Sequence, residues 1–185
     1  MKLKKANAVL ALLAILIMLM HVGYSVFAYL TMYYNPFLSK LFAWSFMVIA
    51  CLHAVCGMFA VFLQSDGTRL DQYPQKNMRT ILQRVSAALI FPLLILHINT
   101  FALMKGCAER GLKGFVILLI FAEIMFFAVI IIHVATSVTR AFITLGWLTS
   151  LKTQKKLDLV FYVLGAVIFI VAVYSVVRGQ AMMFL

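Results

Sequence analysis

Residues 83–103 read QRVSAALIFPLLILHINTFAL, and this stretch decides the fold expected for the whole chain. A run of about 20 mainly apolar residues is long enough to cross the hydrocarbon core of a bilayer as a helix. Arg84 stands at the start of the run, and the imidazole of His97 lies deep inside it. An ionisable side chain within a membrane helix is costly and is by default a functional candidate. The stretch therefore predicts a membrane helix that carries chemistry.

Five such apolar runs divide the chain into candidate membrane spans. They are residues 8–33, 41–63, 82–104, 115–139 and 157–177. Of the 185 residues, 65% are hydrophobic and only 11% are charged, which leaves too little polar sequence for a separate soluble domain. A helix satisfies its own backbone hydrogen bonds, as a lipid environment requires. We therefore expect an all-α membrane protein in which residues 1–185 form a single bundle of five transmembrane helices.

The basic residues predict which way the bundle faces. The formal net charge is +11, but the lysines and arginines lie at the ends of the spans, which argues against a nucleic-acid partner. Eleven lie on the side of the N-terminus, and five on the opposite side. The eleven are Lys2, Lys4, Lys5, Arg69, Lys76, Arg79, Arg84, Arg140, Lys152, Lys155 and Lys156; the five are Lys40, Lys105, Arg110, Lys113 and Arg178. By the positive-inside rule, the N-terminus is cytoplasmic and the C-terminus outside, in a multi-pass protein of a bacterial cytoplasmic (inner) membrane.

The four histidines of the chain lie one on each of the first four spans, and the fifth span has none. At about 1.5 Å of rise per residue, His21 and His97 fall in the outer half of the bilayer, and His53 and His133 fall roughly 10–15 Å further in. Two imidazoles at one level are what a six-coordinate haem iron needs. We therefore predict two b-type haems, with His21 and His97 on one iron and His53 and His133 on the other.

Polar side chains near these two levels are candidates for contacts with the haems. A buried propionate needs a charged or hydrogen-bonding partner. The candidates are Arg84 and Arg140 for the inner haem and Tyr24, Asn99 and Thr100 for the outer haem. An open alternative is that both arginines are simply positive-inside residues in contact with water.

Glu123 is the only acid deep inside a predicted span, since Asp158 stands at the very edge of the fifth one. It lies about 15 Å outward of His133 along the same helix, which brings it to the level of the outer haem. Reduction of a quinone takes up protons, so a quinone site needs a group that exchanges them. Glu123 is our candidate for that exchange, and the alternative is a neutral acid that forms a hydrogen bond between helices.

A non-redox transporter with buried histidines is the alternative from another functional class. A zinc or copper site would cluster acids, thiols or histidines at one depth. The loops contain no histidine, and the three cysteines, Cys51, Cys56 and Cys107, form no C-x-x-C-H motif for covalent haem attachment.

Over its whole length the chain resembles the five-helix dihaem cytochrome b anchors of succinate dehydrogenases and quinol:fumarate reductases. Residues 83–86 with His97 resemble that family's Arg-x-Ser/Thr-Gly…His segment, and His133 with residues 140–147 resembles its other haem-binding helix end. In the family, the first helix pairs with the third and the second with the fourth to hold the two haems. Ala87 replaces the glycine of the first motif. Ile131 stands where some members carry a glutamate for proton transfer, so that proton route is not expected here.

The resemblance implies that the chain is an electron-transfer subunit, with the dicarboxylate chemistry on a partner subunit. It implies a quinone substrate, expected to be menaquinone, and a cytoplasmic iron–sulfur subunit that connects to an FAD-containing flavoprotein. We expect these partners at residues 66–79 and 152–156, while direction of the reaction and dimerisation of the complex stay open. The chain itself has no G-x-G-x-x-G motif for a dinucleotide. A cytochrome b of a hydrogenase or formate dehydrogenase is the alternative within this class.

Overall fold

The computed structural model describes residues 2–63 and 74–185, with side chains described over residues 2–60 and 78–185. The described residues are arranged as five α-helices. These are α1 (Lys2–Thr31), α2 (Pro36–Leu63), α3 (Pro74–Glu109), α4 (Lys113–Leu145) and α5 (Leu151–Phe184). Each helix includes a segment long and apolar enough to cross a bilayer. The prediction of an all-α chain with five such helices is confirmed.

The helices extend beyond the apolar runs that predicted them. Helix α1 begins at Lys2 rather than near residue 8, and α5 ends at Phe184 rather than near residue 177. Hydropathy marks only the part of a helix suited to hydrocarbon, whereas the backbone hydrogen bonds continue into polar flanks. One residue changes its setting as a result: Cys107, which lies beyond the predicted third span, is within α3.

Local sequence signals define the ends of several helices. Pro36 is the first residue of α2, and the side-chain oxygen of Asn35 accepts hydrogen bonds from the backbone N–H groups of Phe37 and Leu38, at 3.0 and 3.2 Å. Helix α4 ends at Gly146, whose φ of 83° is a left-handed conformation that glycine adopts without strain. These ends give the connections α1–α2 and α4–α5 defined geometries.

Helix α4 is the centre of the bundle. It packs against α3, α5 and α1, and it holds ten buried residues, Glu123 among them. Gly165 lets α5 come close to α4, since a Cβ there would lie 3.1 Å from the side chain of Ile131. Gly179 likewise lets α5 approach the ring of Tyr29 on α1. Small residues at these two contacts are typical of packed membrane helices.

Helix α2 lies at the edge of the bundle and packs against α1. Among the described residues, no Cα atom of α2 lies within 8 Å of a Cα atom of α4, and the same holds for α1 and α3. Packed helices have axes 8–10 Å apart and bring many Cα atoms closer than this. The two most extensively packed helix pairs of the bundle are α1 with α2 and α3 with α4. The helix pairs predicted to share a haem, α1 with α3 and α2 with α4, are among the pairs whose described backbones stay apart.

Candidate haem-binding site

The two inner histidines face each other across the space between α2 and α4. The ring centroids of His53 and His133 are 6.5 Å apart, and the ring planes are inclined at 63°. Because an imidazole nitrogen lies about 2 Å from a metal that it binds, two rings on opposite sides of one ion have their centroids about 6 Å apart. The observed separation fits that of two axial ligands on one haem iron.

Backbone carbonyls fix which nitrogen of each inner histidine carries the proton. Nδ1 of His53 donates to the carbonyl oxygen of Asn7 at 3.3 Å, and Nδ1 of His133 donates to that of Gln83 at 3.1 Å. A carbonyl oxygen can only accept, so Nδ1 bears the proton and Nε2 keeps a free lone pair in both rings. This is the tautomer in which a histidine binds a metal through Nε2 while its other nitrogen is anchored.

Ser86 is a second partner of His133. Its buried hydroxyl oxygen lies 3.2 Å from Nδ1 of His133 and donates its own proton within α3, to the carbonyl of Leu82 at 2.6 Å. The hydroxyl can therefore accept from the imidazole, as the Gln83 carbonyl does. The motif residue Ser86 thus contacts a histidine on the neighbouring helix.

The outer histidines, His21 and His97, have different hydrogen-bond partners from the inner ones. Nδ1 of His97 on α3 lies 2.7 Å from Oε2 of Glu123 on α4, and only 3% of the Glu123 side chain is exposed. The ring of His97 stacks on Phe126 at a centroid distance of 4.7 Å. His21 on α1 is the second histidine of the predicted outer pair. Its Nδ1 is buried and has no hydrogen-bond partner within the described residues.

Each supported histidine is held by the helix that packs against its own helix. Helix α1 supports His53 of α2, α3 supports His133 of α4, and α4 supports His97 of α3. In none of the three cases does the contact come from the helix of the predicted partner histidine. This division of contacts is what a pair of axial ligands requires, because each ring needs one anchored nitrogen and one free nitrogen.

The three polar candidates for contacts with the outer haem form hydrogen bonds with backbone groups. The hydroxyl of Tyr24 donates to the carbonyl of Asn35 at 3.0 Å and accepts from the N–H of the same residue at 2.7 Å. Asn99 is exposed and donates to the carbonyl of Ile95, while Thr100 is buried and donates to that of Leu96. None of the three forms a hydrogen bond with a histidine in the described part of the chain. Depth along the helix placed them near His21 and His97, but their hydrogen bonds lie elsewhere.

Arg140 forms contacts within the bundle at the inner edge. Its guanidinium donates to the side-chain oxygen of Gln83 and to the hydroxyl of Thr80, both at 2.8 Å. The backbone carbonyl of Gln83 also accepts a hydrogen bond from His133. Arg140 therefore helps to hold the residue that anchors His133. Arg84 is exposed at the same end of α3. The structure therefore places Arg140 against Gln83 and Thr80, and Arg84 on the surface of α3.

An ion pair that the sequence did not reveal joins three helices at the same end. Arg79 of α3 donates to both carboxylate oxygens of Asp158 on α5, at 3.0 and 2.9 Å, and to the backbone carbonyl of Thr136 on α4. The fully buried hydroxyl of Thr139 donates to Asp158 and accepts from Arg79. Asp158 stood one residue inside the edge of a predicted span. The sequence signal for this ion pair was an acid at the edge of one predicted span and an arginine at the matching end of α3.

The predicted docking segment 66–79 lies mostly outside the described residues. Of its side chains, Arg79 is described, and it points into the bundle rather than toward a partner. The second segment begins α5, and the side chains of Lys152, Lys155 and Lys156 are exposed there.

An open groove of about 480 Å³ lies on the bundle surface between α3, α4 and α5. Leu82, Ile131, Thr136, Tyr162 and Phe169 are among its lining residues, and the walls are mainly apolar. Within the described residues, no three His, Cys, Asp or Glu side chains converge as they would around a metal ion. His53 and His133 form a pair and are not part of a larger cluster of such residues in this described region. No protein-family model, curated protein or solved structure matches this chain.

Proposed function

We propose that the chain is the dihaem cytochrome b subunit of a succinate:quinone or quinol:fumarate oxidoreductase in a bacterial inner membrane. One observation carries the proposal: His53 and His133 face each other at 6.5 Å from helices that do not pack together, each with Nδ1 anchored to a carbonyl. Histidines that merely fill a core need no such pairing. A flat macrocycle has room only where backbones stay apart.

The proposal extends to a second haem at the outer histidines. His21 and His97 lie on another pair of separated helices, and His97 also has its Nδ1 anchored. A bound haem supplies one-electron chemistry at iron, tuned by its ligands and their hydrogen bonds. The residues of this chain would hold, orient and shield it: four histidines as ligands, two carbonyls and one carboxylate as anchors, and apolar helices that exclude water.

The position of each haem relative to the soluble partners follows from the proposed orientation. Eleven of the sixteen basic residues lie on the side of the N-terminus, which would be cytoplasmic. The inner haem would then lie nearest the iron–sulfur and flavoprotein partners. The exposed lysines at the start of α5 would form part of their docking surface.

Quinone chemistry needs protons as well as electrons, because a quinone takes up two of each to become a quinol. Glu123 remains the proposed exchanger, and its contact with His97 supports its position at the outer level. Replacement of Glu123 by Gln keeps the shape and removes the acid. We expect quinone-linked turnover to collapse while dithionite still reduces both haems. Normal turnover would move the quinone site inward, where the groove lined by Thr136 and Tyr162 is the next place to test.

An optical redox titration of the purified chain tests the haem assignment. We expect two low-spin b-type haems that titrate separately. A chain that purifies without haem would overturn the proposal and leave a non-redox membrane protein, such as a transporter, in its place. Co-purification with flavin and iron–sulfur clusters would identify the complex, whereas a partner without flavin would favour the cytochrome of another membrane dehydrogenase.

A further inference from the structure

We propose that Glu123 is the positioning residue of His97 and sets the electronic character of the outer haem through that ligand. The inference rests on the proposed function, since it needs a haem on His97. It gives Glu123 a role in ligation that is separate from proton exchange with quinone.

The geometry around His97 holds the ring in two directions at once. Oε2 of Glu123 lies 2.7 Å from Nδ1, which fixes the direction of the N–H bond. Phe126 stacks on the face of the ring at 4.7 Å with an interplanar angle of 30°, which fixes the ring plane. Glu123 and Phe126 are three residues apart on α4, so one face of one helix supplies both contacts.

The burial of Glu123 makes the contact strong. Its side chain is 3% exposed, so water does not compete effectively for the carboxylate oxygen. A hydrogen bond that involves a charged group is roughly twice as strong as a neutral one. A carboxylate buried among apolar helices is costly unless it has a partner, and the Nδ1–H of His97 provides that partner.

The chemical consequence follows from the kind of acceptor. A carboxylate draws the Nδ1 proton toward itself and leaves more electron density on Nε2, which raises the basicity of the ligand. A more basic axial ligand stabilises ferric iron relative to ferrous iron and lowers the midpoint potential. The inner ligands have neutral acceptors, the carbonyls of Asn7 and Gln83. The effect of a carboxylate is therefore confined to the outer haem.

Three variants of the full chain test the proposal in detergent. Glu123→Gln keeps a neutral acceptor at the same place, and Glu123→Ala removes the acceptor. Glu109→Gln is the matched control, because it removes a carboxylate whose side chain is 65% exposed and lies near Lys105 rather than a histidine. His97→Ala identifies which of the two titrating haems is the outer one. The readouts are the two midpoint potentials, the low-spin electron paramagnetic resonance signals and the haem content after gel filtration.

We expect Glu123→Gln to retain both haems and to raise the midpoint potential of the outer haem alone. Glu123→Ala should weaken binding of the outer haem by about 10- to 100-fold, the usual loss when the outer-shell partner of a ligand is removed. Glu109→Gln should leave both potentials unchanged.

Two results would overturn the inference while the proposed function stands. One is two haems with unchanged potentials and signals in Glu123→Gln, which would make the contact only an interhelical bond. The other is an equal shift in Glu123→Gln and Glu109→Gln, which would make it a general effect of charge. A wild-type chain without haem would instead remove the proposed function and this inference together.

Discussion

The inner and outer histidine pairs lie in one bundle but are supported by different chemistry. Both inner rings donate to backbone carbonyls, which belong to the helices and cannot be removed by a side-chain substitution. In the outer pair, one ring donates to a buried carboxylate, and Nδ1 of His21 has no partner among the described residues. The inner pair is therefore fixed by the fold itself. The outer pair depends on one side chain, Glu123, and is open to adjustment by a single substitution.

The largest effect should come from removal of a ligand. His53→Ala should either remove the inner haem or convert it to a high-spin form. The outer haem should be largely unaffected, since the two pairs share no histidine. His21→Ala should do the reverse. Haem content and low-spin signals of the purified variants provide the measurement. Two unaltered low-spin haems after His53→Ala would break the assignment of the pairs.

The inner end of the bundle should lose stability when its ion pair is broken. Asp158→Ala leaves the guanidinium of Arg79, whose side chain is 18% exposed, without its carboxylate. Loss of one partner of such a buried pair costs roughly 3 kcal/mol. Thermal unfolding followed by circular dichroism in detergent provides the measurement.

The control for that variant is an exposed pair at the other end. Lys105 and Glu109 lie 4.0 Å apart with side chains 67% and 65% exposed, so Glu109→Ala should change stability very little. Replacement of both Arg79 and Asp158 by apolar residues should recover most of the loss, because no charge is left unpaired. If the single Asp158→Ala variant is as stable as the wild type, the ion pair does not stabilise this end of the bundle.

The outer end depends on a close approach of α1 and α5. A Cβ at residue 179 would overlap the ring of Tyr29, so Gly179→Ala should destabilise the bundle by about 1–3 kcal/mol. Gly106→Ala on α3 is the matched control, since a Cβ there meets nothing within 4 Å. Replacement of Tyr29 by Ala in the Gly179→Ala background should relieve the clash. Equal unfolding temperatures for the two glycine variants would contradict the close packing.

The smallest effect should come from the second partner of His133. Ser86→Ala removes a hydroxyl 3.2 Å from Nδ1 but leaves the Gln83 carbonyl at 3.1 Å. We expect both haems to remain and stability to fall by about 1 kcal/mol or less. The potential of the inner haem should move less than that of the outer haem does in Glu123→Gln. A larger shift in the midpoint potential of the inner haem would show that the inner pair, rather than the outer pair, depends more on a single side chain.

The sequence was a good guide to how far along its helix each residue lies, and a poor guide to which way its side chain points. Apolar length and a constant rise per residue were enough to place His53 level with His133 and Glu123 level with His97. Depth does not say which way a side chain points around the helix. Tyr24 and Asn99 were candidates by depth, but the first bonds to the α1–α2 turn and the second to its own helix.

The anchors of the histidines were beyond the reach of the sequence. The carbonyls of Asn7 and Gln83 carry no side-chain signal, and their use depends on how neighbouring helices are rotated. The pair of Arg79 and Asp158 was missed because hydropathy placed both residues at the margin of a span. Only the packing of α3, α4 and α5 brings those two ends together.

The packing of α1 with α2 and of α3 with α4 has a consequence for biosynthesis. If the helices enter a bilayer in chain order, α1 and α2 form a first hairpin that carries His21 and His53 but completes neither proposed pair. His97 arrives with α3, and its carboxylate partner Glu123 and the last ligand, His133, arrive together on α4. Under the proposed ligand assignment, insertion of the inner haem would wait for the fourth helix. Chains that stall earlier should be cleared as immature, haem-free protein.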